Sequence, residues 1–462
     1  MSVKPVAVSP EAARRPCPKA RGYPLLGVLP GMMTDPLKTL MRVAGEHPGA
    51  IVELPLGPLR VYLVTHPPHV EHVLHTGWRK YGKQSPMWAP IRRLVGKGLA
   101  TSEGSTWVTA RRTLQPLFDH RFLAKLATTM LDTITRSADQ LAESARTGRS
   151  VDMYQEMNVL TQNIILETVF DVEIERSEAE RLGAALTTAV VELGKRMFLT
   201  FIPEGFPLPG ETRLRKALAD IEEGLKNLWA RWEHRPDMAR HSMLRLMREA
   251  VDPETGEKLS PQQIRDELIT MWTAGNETTA AAMTWIWYLL ERNPEVDAKV
   301  RAEVAEVLGG RTPTVEDLPR LAYCKRVIQE TLRTCGPSWI IPRQSVADEV
   351  VDGYFIPGGA LVLLSPYVTH HTASLWEEPD RFDPDRFLPE RSAGRPPYAF
   401  LPFGGGPRRC IGEHFAMMES QLILAMVAQR FRPRMAEARV LEMEAAGTLR
   451  PKGEARMVIQ PA

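Results

Sequence analysis

The chain has 462 residues, of which 44% are hydrophobic and 25% are charged. This composition is ordinary for a globular protein and excludes collagen-like and wholly disordered chains. The 58 basic and 56 acidic side chains give a formal net charge of +2, so there is no electrostatic reason to expect nucleic acid as a partner. The 4 cysteines form no C-x-x-C pair, which argues for a reducing, cytoplasmic location and against a structural zinc site.

The N-terminal residues 1–22 are rich in Pro, Ala, Arg and Lys, and we expect them to form a flexible leader. We expect a single catalytic domain over 23–462. The most apolar run, residues 280–290, is shorter than the roughly 20 residues that a membrane helix requires. The sequence therefore predicts neither a targeting segment nor a transmembrane anchor.

The pattern of apolar residues predicts a mainly α protein with small β-sheets, an α+β fold whose β portion comes from both ends of the chain. A first helix is expected over 35–47, a β-hairpin over 50–65, and a helix-rich body over 106–335. Later elements, in chain order, are strands over 345–351, 354–356 and 360–364, a coil over 369–406, a helix over 411–432 and a strand over 455–459. Within the body, long helices are predicted over 123–147, 153–172, 177–199, 213–233, 261–292 and 294–308.

The most informative stretch is FGGGPRRCIG at residues 403–412. Its glycines and proline allow a tight loop that can approach a flat partner closely. Cys410 stands at the start of a predicted helix beside two arginines, and both features favour its thiolate over its thiol. A lone thiolate can ligate haem iron. Two alternatives are a phosphate-binding loop, which would lack the P-loop spacing and lysine, and an inert buried thiol.

A second motif, AGNETT at residues 274–279, interrupts the apolar pattern of the helix predicted over 261–292. Glycine weakens a helix and a threonine hydroxyl can bond the carbonyl four residues back, so we expect a local bulge. The adjacent Glu277 and Thr278 form an acid–alcohol pair that can relay protons. The alternative is a polar patch on a solvated helix face.

Together these motifs, in this order, resemble those of the cytochrome P450 family of haem-thiolate monooxygenases, from about residue 22 to the C-terminus. The resemblance implies the cytochrome P450 fold, haem b with Cys410 as the axial iron ligand, and O2 as co-substrate. It also implies that Phe403 packs near the haem and that Arg408 pairs with a haem propionate. Thr278 would position or protonate bound dioxygen, and Glu277 would supply protons.

Further roles follow from the same resemblance. Glu330 and Arg333, at helical spacing i and i+3, would form a buried triad with Arg386 that supports the cysteine loop; without the resemblance they are an ordinary surface pair. Trp107, Arg111 and Arg343 would contact haem propionates, whereas the alternative for the first two is a core tryptophan beside a solvated arginine. His371 departs from the family, which often has arginine there, and no role is assigned to it.

Four stretches are expected by resemblance to line the substrate pocket, at 86–91, 198–209, 271–274 and 338–341. Each of their apolar side chains is, taken alone, equally typical of a core position. As a set they favour a terpenoid, a fatty-acid-like molecule or a polyketide intermediate as substrate. The side chains expected to line the pocket are Met87, Trp88, Phe198, Phe201, Met271, Ala274, Trp339, Ile340 and Ile341.

We find no G-x-G-x-x-G after a predicted strand, so electrons are expected from separate proteins. These would be a ferredoxin or flavodoxin and its reductase, drawing on NAD(P)H. Arg111, Arg112, Arg408 and Arg409 are expected to make the thiolate side basic, unless propionates and carbonyls occupy them.

The predicted function is thus a monooxygenase of secondary metabolism. The alternatives are a peroxide-driven hydroxylase, which commonly lacks the acid–alcohol pair, a non-catalytic haem sensor, and a helical binding protein without haem.

Overall fold

The protein is represented by a computed structural model that describes residues 15–203, 206, 208–234 and 242–462. Its α-helices agree closely with the predicted ones, and the helix expected over 261–292 has the predicted bounds. The α-helices are α1 Leu29–Thr34, α2 Pro36–Glu46, α3 Pro67–Glu71, α4 Ala89–Val95, α5 Gly104–Leu114, α6 His120–Thr147, α7 Met153–Phe170, α8 Arg176–Arg196, α9 Glu211–Glu233, α10 Met243–Glu249, α11 Pro261–Arg292, α12 Pro294–Leu308, α13 Ala322–Cys335, α14 Pro366–His371, α15 Pro389–Ser392 and α16 Glu413–Arg430.

Helix α11 is the axis of the helical body. It begins at a capping box, in which the Ser260 hydroxyl accepts from the Gln263 N–H and the Gln263 side chain accepts from the Ser260 N–H. Most of its side chains are buried against α7, α13 and α16. Halfway along, the Thr161 hydroxyl of α7 donates to the Asn276 carboxamide at 2.8 Å, so a buried polar link fixes the two helices in register.

The strands come from both ends of the chain, as predicted. They form a five-stranded sheet in the order β1-β2-β8-β5-β3, a three-stranded sheet in the order β4-β12-β9, and the hairpins β6-β7 and β10-β11. The strands are β1 Val52–Leu56, β2 Leu59–Val64, β3 Tyr81–Gly82, β4 Val151–Asp152, β5 Ile341–Ser345, β6 Glu349–Val351, β7 Tyr354–Ile356, β8 Leu361–Leu364, β9 Phe431–Met435, β10 Met443–Ala445, β11 Leu449–Pro451 and β12 Arg456–Pro461.

Two expectations need correction. The single strand predicted over 345–351 is wrong, because β5 ends at Ser345, where the Ser345 hydroxyl donates to the Pro357 carbonyl at 2.6 Å, and β6 starts a separate hairpin. The leader predicted as flexible is packed over its described part. Ala20 is buried and its N–H donates to the Glu53 carbonyl at 2.8 Å, since β1 is an edge strand with free backbone groups. Residues 1–14 lie outside the described residues.

In the part of the chain that the structure describes, no helix is both long and apolar enough to cross a bilayer. The apolar faces of the helical body and of the five-stranded sheet instead pack against each other. They meet along the segment between α13 and β8, which brings the start of β5 and the start of α16 close to the middle of α11. This meeting point is where the functional site lies.

Candidate active site

A cavity of about 410 Å³ lies between α11, the loop before α16, and the segment that leads into β5. Cys410 and Phe403 form one wall, and Thr278 and Ala274 of α11 contribute to another. The described residues contain no group of three or more His, Cys, Asp or Glu side chains that could hold a metal ion together. A metal in this cavity would therefore have fewer than three such side chains as ligands.

Cys410 is the one described cysteine that lines the cavity. Its N–H donates to the Phe403 carbonyl at 2.9 Å, which closes the loop. Burial raises the pKa of the Cys410 thiol, and this effect outweighs the lowering by the Gly412 N–H, Arg111 and Arg409. The backbone N–H at the helix start and the arginines thus favour the thiolate as expected, but desolvation of the thiol outweighs them. A bound cation would reverse this balance, since a coordinated thiol is deprotonated.

The triad predicted from sequence is brought together behind this loop. Arg333 makes two hydrogen bonds to the Glu330 carboxylate, at 2.8 and 2.9 Å, and the Arg386 Nε lies 3.3 Å from the same carboxylate. All three side chains are buried. Arg333 also donates to the His370 carbonyl at 2.8 Å, and the His370 ring accepts from the Leu401 N–H at 3.0 Å. The triad therefore reaches the start of the cysteine loop through one histidine.

Three buried cations line the cavity, and sequence analysis identified two of them. Arg408 pairs with Glu103, whereas Arg343 donates only to the adjacent Pro342 carbonyl at 2.9 Å. The third is Lys83, whose Nζ donates to the Ala100 carbonyl at 2.8 Å.

Burial and the neighbouring Arg408 lower the pKa of Arg343 to about 10. Burial likewise lowers the pKa of Lys83, and the positive charges of Arg343 and Arg408 add to the effect. Among the described residues, Glu103 is the one anion that raises either pKa. The cavity thus carries excess positive charge that suits an anionic ligand with carboxylates. Lys83 escaped sequence analysis because an isolated lysine in an irregular segment has no distinguishing pattern.

Trp107 and Arg111, predicted as partners of the cofactor carboxylates, do not line the cavity. The Trp107 ring lies 4.3 Å from the Arg408 guanidinium, and Arg111 donates to the Arg409 carbonyl at 2.8 Å. Both side chains therefore support the loop and its arginine from behind. Their direct contact with a cofactor stays a prediction.

The acid and the alcohol of α11 point in different directions. Thr278 lines the cavity, and its hydroxyl donates to the Ala274 carbonyl at 2.6 Å. Glu277 is buried and accepts from the Thr448 hydroxyl of the β10-β11 hairpin at 2.9 Å. Burial raises the pKa of Glu277 to about 7, although Arg450 lowers it. The predicted bulge is wrong, since α11 continues as a regular helix through this motif, where Asn276 anchors it to α7.

Five of the nine predicted pocket residues line the cavity, namely Trp88, Met271, Ala274, Ile340 and Ile341. The other four are corrections. Met87, Phe198 and Trp339 are buried in the core beside the five-stranded sheet, with the Phe198 and Trp339 rings 6.2 Å apart. Phe201 is exposed on the surface. Trp339 turns away because its indole N–H donates to the Ala446 carbonyl at 2.9 Å. Residues 204, 205 and 207 of the predicted 198–209 stretch lie outside the described residues.

The expectation that four arginines make the thiolate side basic also needs correction. Arg408 is buried, Arg112 pairs with Asp252 and Glu254, and Arg409 pairs with Glu413. A surface depression of about 1150 Å³ borders the cysteine loop instead. Its basic lining residues are His120, Lys325, Arg326, Arg409 and His414.

Comparison with known proteins decides the family. The cytochrome P450 family model matches residues 16–457. The chain belongs to the cytochrome P450 family. Its solved relatives include the cytochrome P450DA heme domain, with a TM-score of 0.85 and 28% identity, covering 97% of this chain and 98% of that one. The resemblance drawn from the motifs and the predicted fold are both confirmed.

Curated relatives of this P450 include two that are named as oxygenases. Cyclooctatin synthase of Streptomyces melanosporofaciens is 38% identical, with 89% of each chain covered. Cyclooctat-9-en-7-ol 5-monooxygenase of the same organism is 34% identical, covering 89% of this chain and 88% of that protein. Pentalenene oxygenase of Streptomyces avermitilis is 31% identical, covering 88% of this chain and 89% of that protein. The chain is therefore an oxidoreductase of the monooxygenase type.

The residues of the cavity fit the haem that the family carries. The Cys410 thiol would hold the iron, and the surplus of buried positive charge on Lys83, Arg343 and Arg408 would match the two carboxylates of haem b. Gly406 packs the loop backbone against the Leu74 carbonyl, with which a Cβ at this position would collide, so glycine is needed to hold the loop in place.

Removal of the Glu330 carboxylate tests whether the buried triad supports the cysteine loop. Glu330→Ala leaves two buried guanidinium groups without their carboxylate, so we expect a loss of about 3–5 kcal/mol in stability and little haem in the purified protein. The measurement is the haem-to-protein absorbance ratio. Glu143→Ala is the matched control, because Glu143 forms an exposed i,i+3 pair with Arg146. Normal haem content in Glu330→Ala would contradict the role assigned to the triad.

Proposed function

We propose that this P450 inserts one oxygen atom from O2 into a terpenoid, using electrons from a separate ferredoxin-type protein. The observation that carries the proposal is the Cys410 thiol, which borders an apolar cavity that Thr278 also lines. Two relatives are named as oxygenases of pentalenene and of cyclooctat-9-en-7-ol, and these names favour a terpenoid over a fatty-acid-like molecule or a polyketide. The overall change is RH + O2 + 2e⁻ + 2H⁺ → ROH + H2O.

The residues of the chain have distinct tasks in this proposal. The haem, when bound, supplies the iron at which dioxygen is reduced and split. The thiolate of Cys410 holds the iron, and the apolar side chains above it exclude water and orient the substrate. Thr278 holds a proton at its hydroxyl, anchored by the Ala274 carbonyl. Glu277 holds a second proton at its carboxyl and must turn away from Thr448 to pass it on.

The electron donor is proposed to dock at the depression beside the cysteine loop. Lys325 makes no ion pair among the described residues. Arg409 and Arg326 also border the depression, although Arg409 is paired with Glu413 and Arg326 lies 3.5 Å from Asp385. An acidic ferredoxin or flavodoxin complements this charge. The ultimate reductant would be NAD(P)H, delivered through a reductase. The location in the cytoplasm stays a prediction from cysteine usage.

Thr278→Ala distinguishes this proposal from its alternatives. Removing the hydroxyl should uncouple the reaction, so that NADPH consumption with a surrogate ferredoxin and reductase continues while product per NADPH falls at least about tenfold. Hydrogen peroxide release should rise in step. Thr284→Ala is the control, because Thr284 makes the same i−4 hydrogen bond on α11 without lining the cavity.

Unchanged coupling in Thr278→Ala would contradict the proton role of that residue. Product formed with peroxide but never with NADPH would establish the peroxide-driven hydroxylase. Haem binding without substrate-dependent NADPH consumption would establish the sensor.

The pH dependence tests Glu277. Burial raises its pKa to about 7, so the carboxyl is protonated and able to donate below that pH and loses its proton above it. We expect turnover at saturating redox partner to fall as pH rises through about 7. In Glu277→Gln the rate should be lower and this decline should disappear. An identical decline in the variant would assign the titration to another group, and the absorption spectrum at each pH verifies that the haem site is intact.

A further inference from the structure

Glu267 lies on the same face of α11 as Thr278. Residues 267, 271, 274 and 278 follow one another at helical spacing, and all four line the cavity. Glu267 stands about 16 Å from Thr278 along the helix axis, at 1.5 Å per residue. Its side chain is almost fully buried, at 2% exposure. A carboxyl group is thus built into the part of the cavity remote from Thr278.

One oxygen of the Glu267 carboxyl group accepts a hydrogen bond within the protein, and the other oxygen does not. Oε2 accepts a hydrogen bond from the Leu99 N–H at 3.0 Å. Oε1 makes no hydrogen bond to any described residue, although it borders the cavity. The nearby Thr270 hydroxyl is already engaged with the Asp266 carbonyl at 2.7 Å and does not serve as its donor. The hydrogen bond from Leu99 therefore accounts for only one of the two carboxyl oxygens of Glu267.

Among the described residues, no cation forms an ion pair with Glu267. Burial raises its pKa to about 7, Asp266 on the same helix raises it further, and the Leu99 N–H from the facing loop lowers it. Lys83 lies near by, since it donates to the carbonyl of Ala100, the residue after Leu99, but it is not among the groups that shift this pKa. An unpaired carboxyl in an apolar wall costs free energy unless something donates a hydrogen bond to it.

The surrounding wall is apolar. The apolar residues that line the cavity include Leu99, Ile165, Met271, Ala274 and Ile340, and the polar ones include Lys83 and Thr270. A ligand in this space therefore meets mainly carbon, and the unpaired oxygen of Glu267 offers it an acceptor. A hydroxyl group satisfies that acceptor whether the carboxyl is protonated or ionised, because each form keeps an oxygen lone pair.

We propose that Glu267 determines substrate choice by accepting a hydrogen bond from a hydroxyl group carried by an otherwise apolar substrate. The inference rests on the proposed function and narrows its substrate class to an alcohol that is oxidised at a carbon remote from the hydroxyl. The substrate is thus already oxygenated when it arrives. A hydroxylation or a water-quenched cyclisation must precede this reaction.

Binding of three probes with one carbon skeleton tests the inference. The probes are cyclododecane, cyclododecanol and cyclododecanone, titrated into the haem-loaded protein at pH 8 with equilibrium dialysis as the readout. We expect the wild type to bind the alcohol at least about tenfold more tightly than the hydrocarbon or the ketone. Glu267→Leu should abolish this preference without weakening hydrocarbon binding. Thr270→Val, another change in the cavity wall, should retain it.

Glu267→Gln sharpens the test, because its amide oxygen can keep the Leu99 contact while its NH2 group faces the cavity. This variant should gain affinity for the ketone. In the wild type, ketone binding should weaken as pH rises through about 7, since only the protonated carboxyl donates, whereas in Glu267→Gln it should not change.

An alcohol preference that is absent in the wild type, or that survives in Glu267→Leu, would overturn the inference. Dialysis does not depend on the iron or on turnover. A failure of the monooxygenase proposal would therefore show in the haem spectrum and in coupling, and would not be confused with a failure of this one.

Discussion

The carboxylate of Glu330 holds two arginines inside the protein, and the position of Cys410, the proposed iron ligand, depends on that interaction. Cys410 lies in a glycine-rich loop without a regular element of its own, so its place must be fixed from outside. Arg333 is held by Glu330 and reaches the His370 carbonyl, and His370 in turn receives the Leu401 N–H at 3.0 Å. A buried ion network contributes little net stability, but it specifies one arrangement of the chain. Removing any one partner leaves the others as unpaired buried charges.

The cavity combines buried positive charge with one carboxyl group that no described cation pairs with. Lys83, Arg343 and Arg408 concentrate positive charge that would suit the haem carboxylates, and burial depresses the pKa of each. Glu267 lines the same cavity and forms no ion pair with any of these three cations. In our proposals the cations bind the cofactor, Glu267 accepts a hydrogen bond from the substrate, and α11 supplies protons through Thr278 and Glu277.

The central residues could be predicted because they lie in recognisable motifs. The others could not be predicted, because their positions and orientations depend on residues that are distant in the sequence. Cys410, Thr278 and the triad lie in patterns whose chemistry can be inferred, and helices with strong apolar periodicity were predicted nearly to the residue. The orientation of Glu277 depends on Thr448, which is 171 positions away, and that of Trp339 depends on Ala446. Lys83 and Glu267 lie in no motif, and only the folded chain shows that both line the cavity.

The most direct test of this account is the absorption spectrum of the reduced, carbon monoxide-bound protein. The account requires the strongly red-shifted band of a thiolate-ligated haem, and its loss in Cys410→Ser. A wild-type spectrum typical of histidine-ligated haem would contradict the role of Cys410. The absence of any haem band in protein expressed with ample haem would contradict the assignment of the cavity itself.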